Sequence, residues 1–321
     1  MGQKDHLVVA LDIGGTNFRL AVIDSNGHIL RQHKDHSYPE QGPEQAIKRI
    51  GDEATELLEN FNPDSIRGMG IAIAGLVNPV TGILLTSPNL LSWYNTPLKD
   101  IFEQELQLPV SIGNDANLAA LGEHRYGAGN GSEDIIYLTV STGIGGGVIT
   151  GGKLLLGSTG FAAELGHMTI DINGPRCTCG NIGCLEVMAS GTAIARLARE
   201  SLSKGKPSRI TELVSGDLTR VTAAMVAEAA RSGDVLASEI MYTAATNLGV
   251  GVVNLVHIFN PERVIIGGGV SQAGEMIFEP VQQVVAERIM PDIIVDILPA
   301  KLGDDSGLLG AAALVLDSTP G

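Results

Sequence analysis

Residues 7–23 read LVVALDIGGTNFRLAVI and hold the pattern on which the fold depends. Two apolar runs, LVVALDI at 7–13 and LAVI at 20–23, flank the glycine pair of GGTN at 14–17. DSNG at 24–27 then supplies residues that favour a tight turn between antiparallel strands. The stretch therefore predicts a strand, a glycine turn, a second strand and a hairpin connection.

The chain after this hairpin predicts a helix and two more strands. Between residues 44 and 60 apolar side chains recur at helical spacing, and GMGIAIA at 68–74 is typical of a buried strand. The order of elements is therefore β-β-α-β, with a further short strand predicted near 110–112.

A similar pattern returns about 130 residues later. IIYLTV at 135–140 predicts a strand, STGIGGG at 141–147 predicts a glycine turn, and VI at 148–149 begins the next strand. Two diverged copies of this size predict two lobes of similar fold rather than a solenoid, with the boundary near residue 116.

The later segments are mostly helical. Helices are predicted at 190–202, 221–231 and 234–256, and a strand at 263–266 runs into three glycines. GLLGAAALVL at 307–316 predicts a final helix. The fold class is therefore α/β.

The domain prediction follows from this plan. Residues 1–116 form an N-terminal lobe, completed by the C-terminal helix at about 302–321. Residues 117–301 form a C-terminal lobe that carries a metal-binding loop. A cleft between two such lobes is the expected place for a site.

Composition excludes several classes of protein. The 321 residues carry a formal net charge of −15, and an acidic surface opposes a nucleic-acid partner. The sequence shows no unbroken apolar stretch of membrane-spanning length and no signal-peptide pattern at its start. We therefore expect a cytoplasmic protein without membrane partners.

The cysteines indicate a metal site. Cys177, Cys179 and Cys184 are the only three cysteines, and His167 precedes Cys177 by ten positions. Three thiolates and one imidazole complete a tetrahedral zinc shell, and a closed shell indicates a structural rather than catalytic ion. The alternative is three buried apolar thiols. Glu164 and Glu186 flank this cluster and either face a polar ligand or are ordinary surface residues.

Two glycine turns predict phosphate binding. Asp12 closes a strand just before GGTN at 14–17, and STGIGGG at 141–147 has a similar arrangement. Bare backbone amides at such turns can form an anion nest. Each turn alone is also compatible with an ordinary hairpin. The P-loop pattern and the dinucleotide-binding glycine pattern are absent.

Several motifs together resemble the ROK family of sugar kinases and repressors. They are DIGGTN at 12–17, NDAN at 114–117, STGIGGG at 141–147, ELGH at 164–167 and CTCGNIGCLE at 177–186. The resemblance implies an actin-like (ribonuclease-H-like) ATPase fold with two lobes around a central cleft. Repressors of the family carry a winged-helix segment before the first glycine turn, whereas eleven residues precede Asp12 here, and this favours a kinase.

The resemblance also implies roles for individual residues. Asp115 matches the catalytic base, and Asp12 matches the aspartate that organises Mg²⁺. The expected sugar contacts are Asn89, Asn114, Asp115, Glu164, His167 and Glu186. The expected nucleotide contacts are Asp12, Gly14, Gly15, Thr16, Asn17, Thr142, Gly143, Gly267, Gly268 and Gly269. The expected zinc ligands are His167, Cys177, Cys179 and Cys184.

The predicted reaction is ATP-dependent phosphorylation of a hexose, with ATP, Mg²⁺ and structural zinc as cofactors. Asp115 would accept the proton of the sugar 6-hydroxyl, although an aspartate there could also cap the helix predicted at 116–124. Asn89 favours glucose. The alternative substrates are an N-acetylhexosamine, such as N-acetylmannosamine or N-acetylglucosamine, and another hexose. The alternative function is a sugar-sensing regulator without catalysis. Apolar helices of the second lobe predict a homodimer or tetramer, although core packing explains them equally well.

Overall fold

A computed structural model describes residues 6–318. The ends of the predicted lobe ranges, 1–5 and 319–321, lie outside the described residues. The strands are β1 (Leu7–Ile13), β2 (Asn17–Ile23), β3 (Ile29–His36), β4 (Ile66–Ile73), β5 (Leu76–Asn78), β6 (Ile83–Thr86), β7 (Val110–Asn114), β8 (Ile135–Val140), β9 (Ile144–Thr150), β10 (Lys153–Leu154), β11 (Arg263–Gly267) and β12 (Asp296–Pro299). The helices are α1 (Pro43–Leu58), α2 (Leu98–Leu106), α3 (Asp115–Tyr126), α4 (Leu185–Ala189), α5 (Gly191–Ser203), α6 (Ile210–Leu213), α7 (Ala223–Arg231), α8 (Val235–Phe259), α9 (Glu275–Arg288) and α10 (Ser306–Asp317).

The first sheet has the strand order β3-β2-β1-β4-β7. β1, β2 and β3 pair antiparallel, as the glycine turn and the DSNG hairpin predict, whereas β4 pairs parallel with β1 and β7 pairs parallel with β4. Parallel pairing needs a crossover, and α1 and α2 lie in the two connections. The expected β-β-α-β order is confirmed, with β3 as an additional strand.

The second sheet repeats this order as β10-β9-β8-β11-β12. In both sheets the first three strands run consecutively from the centre to one edge, and the fourth and fifth strands extend the other side. The fifth strand of each sheet is followed by a helix of twelve residues, α3 and α10. The α/β class and the duplicated plan predicted from the two glycine turns are confirmed.

The second glycine turn is shorter than the sequence predicts. Ile144, Gly145, Gly146 and Gly147 already belong to β9, so the turn comprises 141–143 alone. Two of these glycines have no room for a side chain: a methyl group on Gly146 would lie 2.7 Å from the carbonyl oxygen of Tyr137, and one on Gly147 would lie 2.6 Å from the Cβ of Ala120. Glycine here therefore permits close strand packing rather than a long loop.

The chain packs as two compact units. The first comprises the described parts of Met1–Ser132, Gly147–Ala163 and Lys301–Gly321, and the second comprises Glu133–Gly146 and Glu164–Ala300. Packing thus assigns α3 to the first unit, whereas the lobe boundary near residue 116 stays a prediction.

The helix α10 is part of the first unit. It packs closely on α3, where a methyl group on Gly310 would lie 1.7 Å from the carbonyl oxygen of Leu118. It also packs on β4, where a methyl group on Gly70 would lie 2.0 Å from the carbonyl oxygen of Ala311. Both glycines are required because the backbones approach within van der Waals distance.

Each unit has a buried apolar core. In the first unit Phe18, Trp93 and Phe102 are among the largest fully buried side chains, and burying a side chain of this size stabilises the fold by about 1.5–3 kcal/mol. In the second unit α8 is the one helix, among the described residues, that is long and apolar enough to cross a membrane. Half of the apolar stretch of α8 is buried inside the protein, as in the core helix of a globular domain.

Candidate active site

The first glycine turn joins β1 to β2 and is anchored by Ser37. The N–H of Gly14 donates to the carbonyl of Asn17 (2.9 Å) and closes the turn. The Ser37 hydroxyl donates to the Gly14 carbonyl (2.7 Å), and the Ser37 N–H donates to the Thr16 carbonyl (2.8 Å). Because a trans peptide unit is planar, this directs the N–H of Gly15 to the opposite side. Sequence reasoning missed Ser37, which lies 23 residues away and belongs to no motif.

Asp12 lies directly opposite Arg19 in the antiparallel register of β1 and β2. Its Oδ2 accepts a hydrogen bond of 2.6 Å from Arg19 Nη2, while Arg19 Nη1 lies 3.3 Å from Asp305 Oδ1. Burial raises the pKa of Asp12, and the hydrogen bond and positive charge of Arg19 oppose that rise. Sequence reasoning missed Arg19, although counting outward from the glycine turn would have paired these two positions.

A cavity of about 250 Å³ opens beside Asp12 within the first unit. It brings together three of the predicted nucleotide contacts with two basic side chains. Its lining residues are Asp12, Gly14, Asn17, Arg19, Lys34 and Asp304. Carboxylates suit a hard cation such as Mg²⁺, and Arg and Lys suit phosphate oxygens, so the cavity can hold both partners of a metal–phosphate pair.

Asn114 and Asp115 stand at the junction of β7 and α3. Asn114 is the N-cap: its Oδ1 accepts from the N–H groups of Ala116 (3.0 Å) and Asn117 (3.2 Å). Its Nδ2 donates to the carbonyl of Gly75 (3.1 Å), which fixes the amide orientation. The capping role that the sequence leaves open for Asp115 therefore falls chiefly to Asn114. Asp115 is half-buried at the first helical position, with Oδ1 2.9 Å from the Ala116 nitrogen.

Asn89 lies against the first glycine turn. A methyl group on Gly15 would come within 2.6 Å of the Asn89 Cβ, so glycine is required at position 15 by close approach. The side chain of Asn89 is exposed, and its N–H donates to the hydroxyl of Ser87 (3.3 Å). The turn and the predicted sugar contact are thus neighbours in the first unit.

The second glycine turn is held by the start of α5. Its Ser141 carbonyl accepts from the N–H of Gly191 (2.7 Å), and its Thr142 carbonyl accepts from the hydroxyl of Thr192 (2.7 Å). The N–H of Ile144, immediately after the turn, donates to Glu186 Oε2 (2.9 Å). Because hydrogen bonds hold these carbonyls in place, the turn is rigid, as a preorganised anion site requires.

A larger cavity of about 610 Å³ lies within the second unit, beside this turn. Its lining includes Ser141, Thr142, Gly191, Thr192, Arg199, Thr222, Arg231, Met241, Gly269 and Gln272. The volume suits a nucleotide-sized ligand. Of the predicted nucleotide contacts, Thr142 and Gly269 line this cavity, whereas Gly267 is buried at the end of β11.

Most of this cavity wall was not predicted. It comes from α5, the start of α7 and the loop after β11, with small and apolar side chains that carry no motif. Arg199 donates to the carbonyl of Val221 (3.3 Å) and Arg231 to the carbonyl of Gln272 (3.3 Å). The two arginines therefore have fixed positions in the wall.

The predicted zinc ligands converge in the second unit. One ligand atom each from His167, Cys177, Cys179 and Cys184 lies within 4.8 Å of all the others. His167 Nδ1 lies 3.7 Å from Cys177 Sγ, and the sulfurs of Cys179 and Cys184 lie 3.7 Å apart. These donors fit a tetrahedral Cys₃His zinc site.

The loop itself accounts for the convergence. The N–H of Cys177 donates to the carbonyl of Asn181 (2.8 Å), and Gly183 approaches Asp171 so closely that a methyl group would lie 1.6 Å from its carbonyl oxygen. Gly183 also has a φ of 64°, in the region that favours glycine. The turn that brings Cys184 back to the other ligands therefore depends on Gly183.

The remaining predicted sugar contacts fall in two groups. Asn89, Asn114 and Asp115 belong to the first unit, and Glu164, His167 and Glu186 belong to the second. Glu164 is exposed, and its carbonyl accepts from the N–H of His167 (3.0 Å). His167 turns Nδ1 toward the cysteines, so Nε2 is the nitrogen available to a second partner. The sugar-binding roles stay predictions.

Comparison with known proteins identifies the family. The profile of the ROK family matches residues 8–318. The chain is 40% identical to a glucokinase of Thermotoga maritima, over 98% of both chains. It is 33% identical to a xylose repressor of Caldicellulosiruptor bescii, over 96% of this chain and 78% of the repressor.

A solved structure supports the same conclusion. The ROK family glucokinase of Streptomyces griseus, crystallised with glucose and AMPPNP, is 36% identical and has a TM-score of 0.82, over 97% of this chain and 100% of that chain. The actin-like fold expected from the sequence is confirmed. With the glycine turns, the NDAN helix start and the Cys₃His cluster in place, this chain belongs to the ROK family.

Proposed function

We propose that this protein is an ATP-dependent hexokinase-type phosphotransferase that converts glucose to glucose 6-phosphate. The observation that carries the proposal is the 40% identity to a glucokinase over 98% of both chains. The structure supports it with a cavity of about 610 Å³ beside the second glycine turn and a rigidly held first turn.

Asp115 is the general base. Its half-buried carboxylate stands at the start of α3, beside the capping Asn114, and accepts the proton of the sugar 6-hydroxyl in this proposal. A base placed within hydrogen-bond reach of the hydroxyl contributes about 10²–10⁴-fold to the rate. Asn114 and Asn89 orient the sugar, together with Glu164, His167 and Glu186.

Each glycine turn supplies nucleotide contacts within its own unit. The cavity of the second unit takes the adenosine, with Thr142 and Gly269 in its wall. The amide of Gly15, with Thr16 and Asn17 beside it, takes a phosphate oxygen, because Ser37 holds the adjoining Gly14 carbonyl on the other side. Arg19 and Lys34 add positive charge to the same cavity of the first unit.

Two metal ions fit the residues present. Asp12 offers a fixed, half-buried carboxylate to Mg²⁺, which when bound neutralises charge on the transferred phosphate. His167, Cys177, Cys179 and Cys184 would hold zinc, and four protein ligands would leave no open position for catalysis. The zinc therefore shapes the loop from Glu164 to Glu186.

A sugar-sensing regulator is the second candidate. Its support is the 33% identity to a xylose repressor over 96% of this chain. The net charge of −15 opposes direct nucleic-acid binding by these residues.

We propose a cytoplasmic enzyme without nucleic-acid or membrane partners, and a homo-oligomer formed through the exposed Val235 and Tyr242 of α8.

The test is ADP release from ATP and Mg²⁺ with glucose, fructose, allose, N-acetylmannosamine and N-acetylglucosamine in turn. Glucose should give the highest kcat/KM, and NMR of the product should place phosphate on the 6-hydroxyl. If an N-acetylated sugar gave the highest kcat/KM, the proposed substrate would be wrong and the proposed kinase activity would stand. Sugar binding measured by calorimetry without ADP release for any sugar would favour the regulator.

A further inference from the structure

The carboxylate of Glu186 occupies the amide of Ile144, which immediately follows the second glycine turn. Its Oε2 accepts a hydrogen bond from the N–H of Ile144 at 2.9 Å. A methyl group on Gly143 would lie 2.3 Å from the same oxygen, so the carboxylate lies directly against the turn. The three residues belong to one compact unit.

The main chain on both sides of this contact is fixed. The N–H of Leu185 donates to the carbonyl of Met168 (2.8 Å), and the carbonyl of Glu186 accepts from Ser190 (3.0 Å). The turn is anchored by the bond from Gly191 to Ser141 (2.7 Å). The movable part is therefore the Glu186 side chain, whose rotation alone makes or breaks the bond to Ile144.

A carboxylate at this amide competes with phosphate for two reasons. A backbone N–H at a glycine turn is an anion donor, and one anion bound to it occupies the position that a phosphate oxygen would take. A negative charge held against the turn also repels the phosphates of a nucleotide, because like charges at contact distance interact strongly outside bulk water. The Glu186 carboxylate therefore occupies a position that could otherwise bind a phosphate oxygen.

We propose that Glu186 makes nucleotide binding depend on the sugar. Without sugar its carboxylate holds the Ile144 amide and disfavours the terminal phosphate. Hexose hydroxyls then draw the carboxylate away as hydrogen-bond acceptor and release the amide, so that ATP is bound well only beside its acceptor. This inference rests on the proposed kinase function and adds an order of binding to it.

A purely structural role for Glu186 predicts the opposite change in nucleotide affinity when the carboxylate is removed. If the bond to Ile144 only braces the turn, removing the carboxylate loosens an anion site and weakens nucleotide binding. If the carboxylate competes with phosphate, removing its charge strengthens nucleotide binding in the absence of sugar. The direction of one affinity change therefore decides between them.

The experiment is calorimetric titration of Mg²⁺–AMPPNP into the zinc-loaded protein, with and without glucose. Glu186→Gln keeps the shape and removes the charge, and Glu186→Ala removes both. We expect Glu186→Gln to bind AMPPNP about tenfold more tightly than the wild type without glucose, and glucose to alter its nucleotide affinity less than twofold. Glu200→Gln, which removes an exposed carboxylate of α5, is the matched control and should bind as the wild type does.

Unchanged or weaker sugar-free nucleotide affinity in Glu186→Gln would overturn the inference. The sugar-free titrations need no catalysis, so they stand apart from the kinase proposal, which fails separately if the wild type phosphorylates no hexose. Sugar-independent ATP hydrolysis gives a second readout. At ATP concentrations below saturation it should rise about tenfold in Glu186→Gln, because tighter sugar-free binding places ATP on more of the enzyme.

Discussion

Arg19 holds Asp12 through a hydrogen-bonded ion pair of 2.6 Å across the first two strands. The same guanidinium lies 3.3 Å from Asp305, just before α10. One cation therefore fixes the proposed magnesium carboxylate and ties it to the C-terminal helix of its unit. Both side chains of the pair are about one-fifth exposed, at 18% and 21%, so water screens the interaction only partly.

Replacing Arg19 should impair both stability and turnover. Arg19→Met leaves Asp12 without its counter-charge, so the pKa of Asp12 rises further and less of the charged form remains to bind Mg²⁺. We expect a loss of about 2 kcal/mol in unfolding free energy and about tenfold in kcat. Denaturant unfolding and a magnesium titration of the rate measure the two effects.

The control for Arg19→Met is Arg67→Met. Arg67 is a cation of the same unit whose guanidinium donates instead to the carbonyl of Ser318 (2.9 Å). It should change kcat by less than twofold. Equal turnover in Arg19→Met and wild type would show that Asp12 works without this partner.

Ser37 should control nucleotide affinity through the first glycine turn. Ser37→Ala removes the hydroxyl that orients the Gly14 carbonyl, and one hydrogen bond of this kind contributes about 1 kcal/mol. We expect the Kd for AMPPNP to rise about fivefold, with sugar affinity unchanged. Ser92→Ala is the matched control, because its hydroxyl donates to the carbonyl of Pro39, away from the turn. Identical Kd values for the two variants would exclude the anchoring role.

Two glycines of the zinc loop offer a matched pair. Both Gly180 and Gly183 have positive φ, at 94° and 64°, but a methyl group meets nothing within 4 Å at Gly180 and lies 1.6 Å from the Asp171 carbonyl oxygen at Gly183. Gly180→Ala should lower the free energy of unfolding by about 1 kcal/mol, and the variant should retain zinc. Gly183→Ala should lose most of its zinc, as measured by metal analysis of the purified protein. Full zinc occupancy in Gly183→Ala would contradict the proposed origin of the convergence.

Zinc binding should release protons. Burial, with the neighbouring thiols of Cys179 and Cys177, raises the pKa of Cys184 to about 12, so this thiol is protonated at neutral pH without metal. A hydrogen bond from the Asn181 backbone lowers the pKa of Cys179. Zinc must displace the Cys184 proton, so apparent affinity should increase with pH. Calorimetry in buffers of different ionisation enthalpy should show at least one proton released per zinc, whereas no release would exclude thiolate ligation by Cys184.

Local patterns predicted the strands that lead into the two glycine turns and the last helix. Leu7–Ile13 and Ile135–Val140 form the strands predicted from their apolar runs, and the last helix, predicted at 307–316, spans Ser306–Asp317. β3 was missed because ILRQHKDH is polar and mostly exposed, as an edge strand can be, and its strand character comes from pairing with β2.

The features that sequence reasoning missed depend on long-range packing. Ser37 reaches Gly14 and Glu186 reaches Ile144 only after the chain folds, across separations of 23 and 42 residues. The cavity of the second unit is lined by small side chains from several segments, which carry no signature of their own. The zinc cluster, by contrast, was predictable because its cysteines lie within eight residues and its ligand types admit few other uses.

The most direct test of the account is the transfer step in Asp115→Asn. In a single turnover with labelled ATP and glucose, the account predicts a rate at least about 10³-fold below the wild type, because the amide cannot accept the hydroxyl proton. Glucose and AMPPNP should bind within twofold of the wild type, and Asp100→Asn, an exposed aspartate of α2, should transfer normally. Phosphoryl transfer at a near-normal rate in Asp115→Asn would contradict the proposed mechanism.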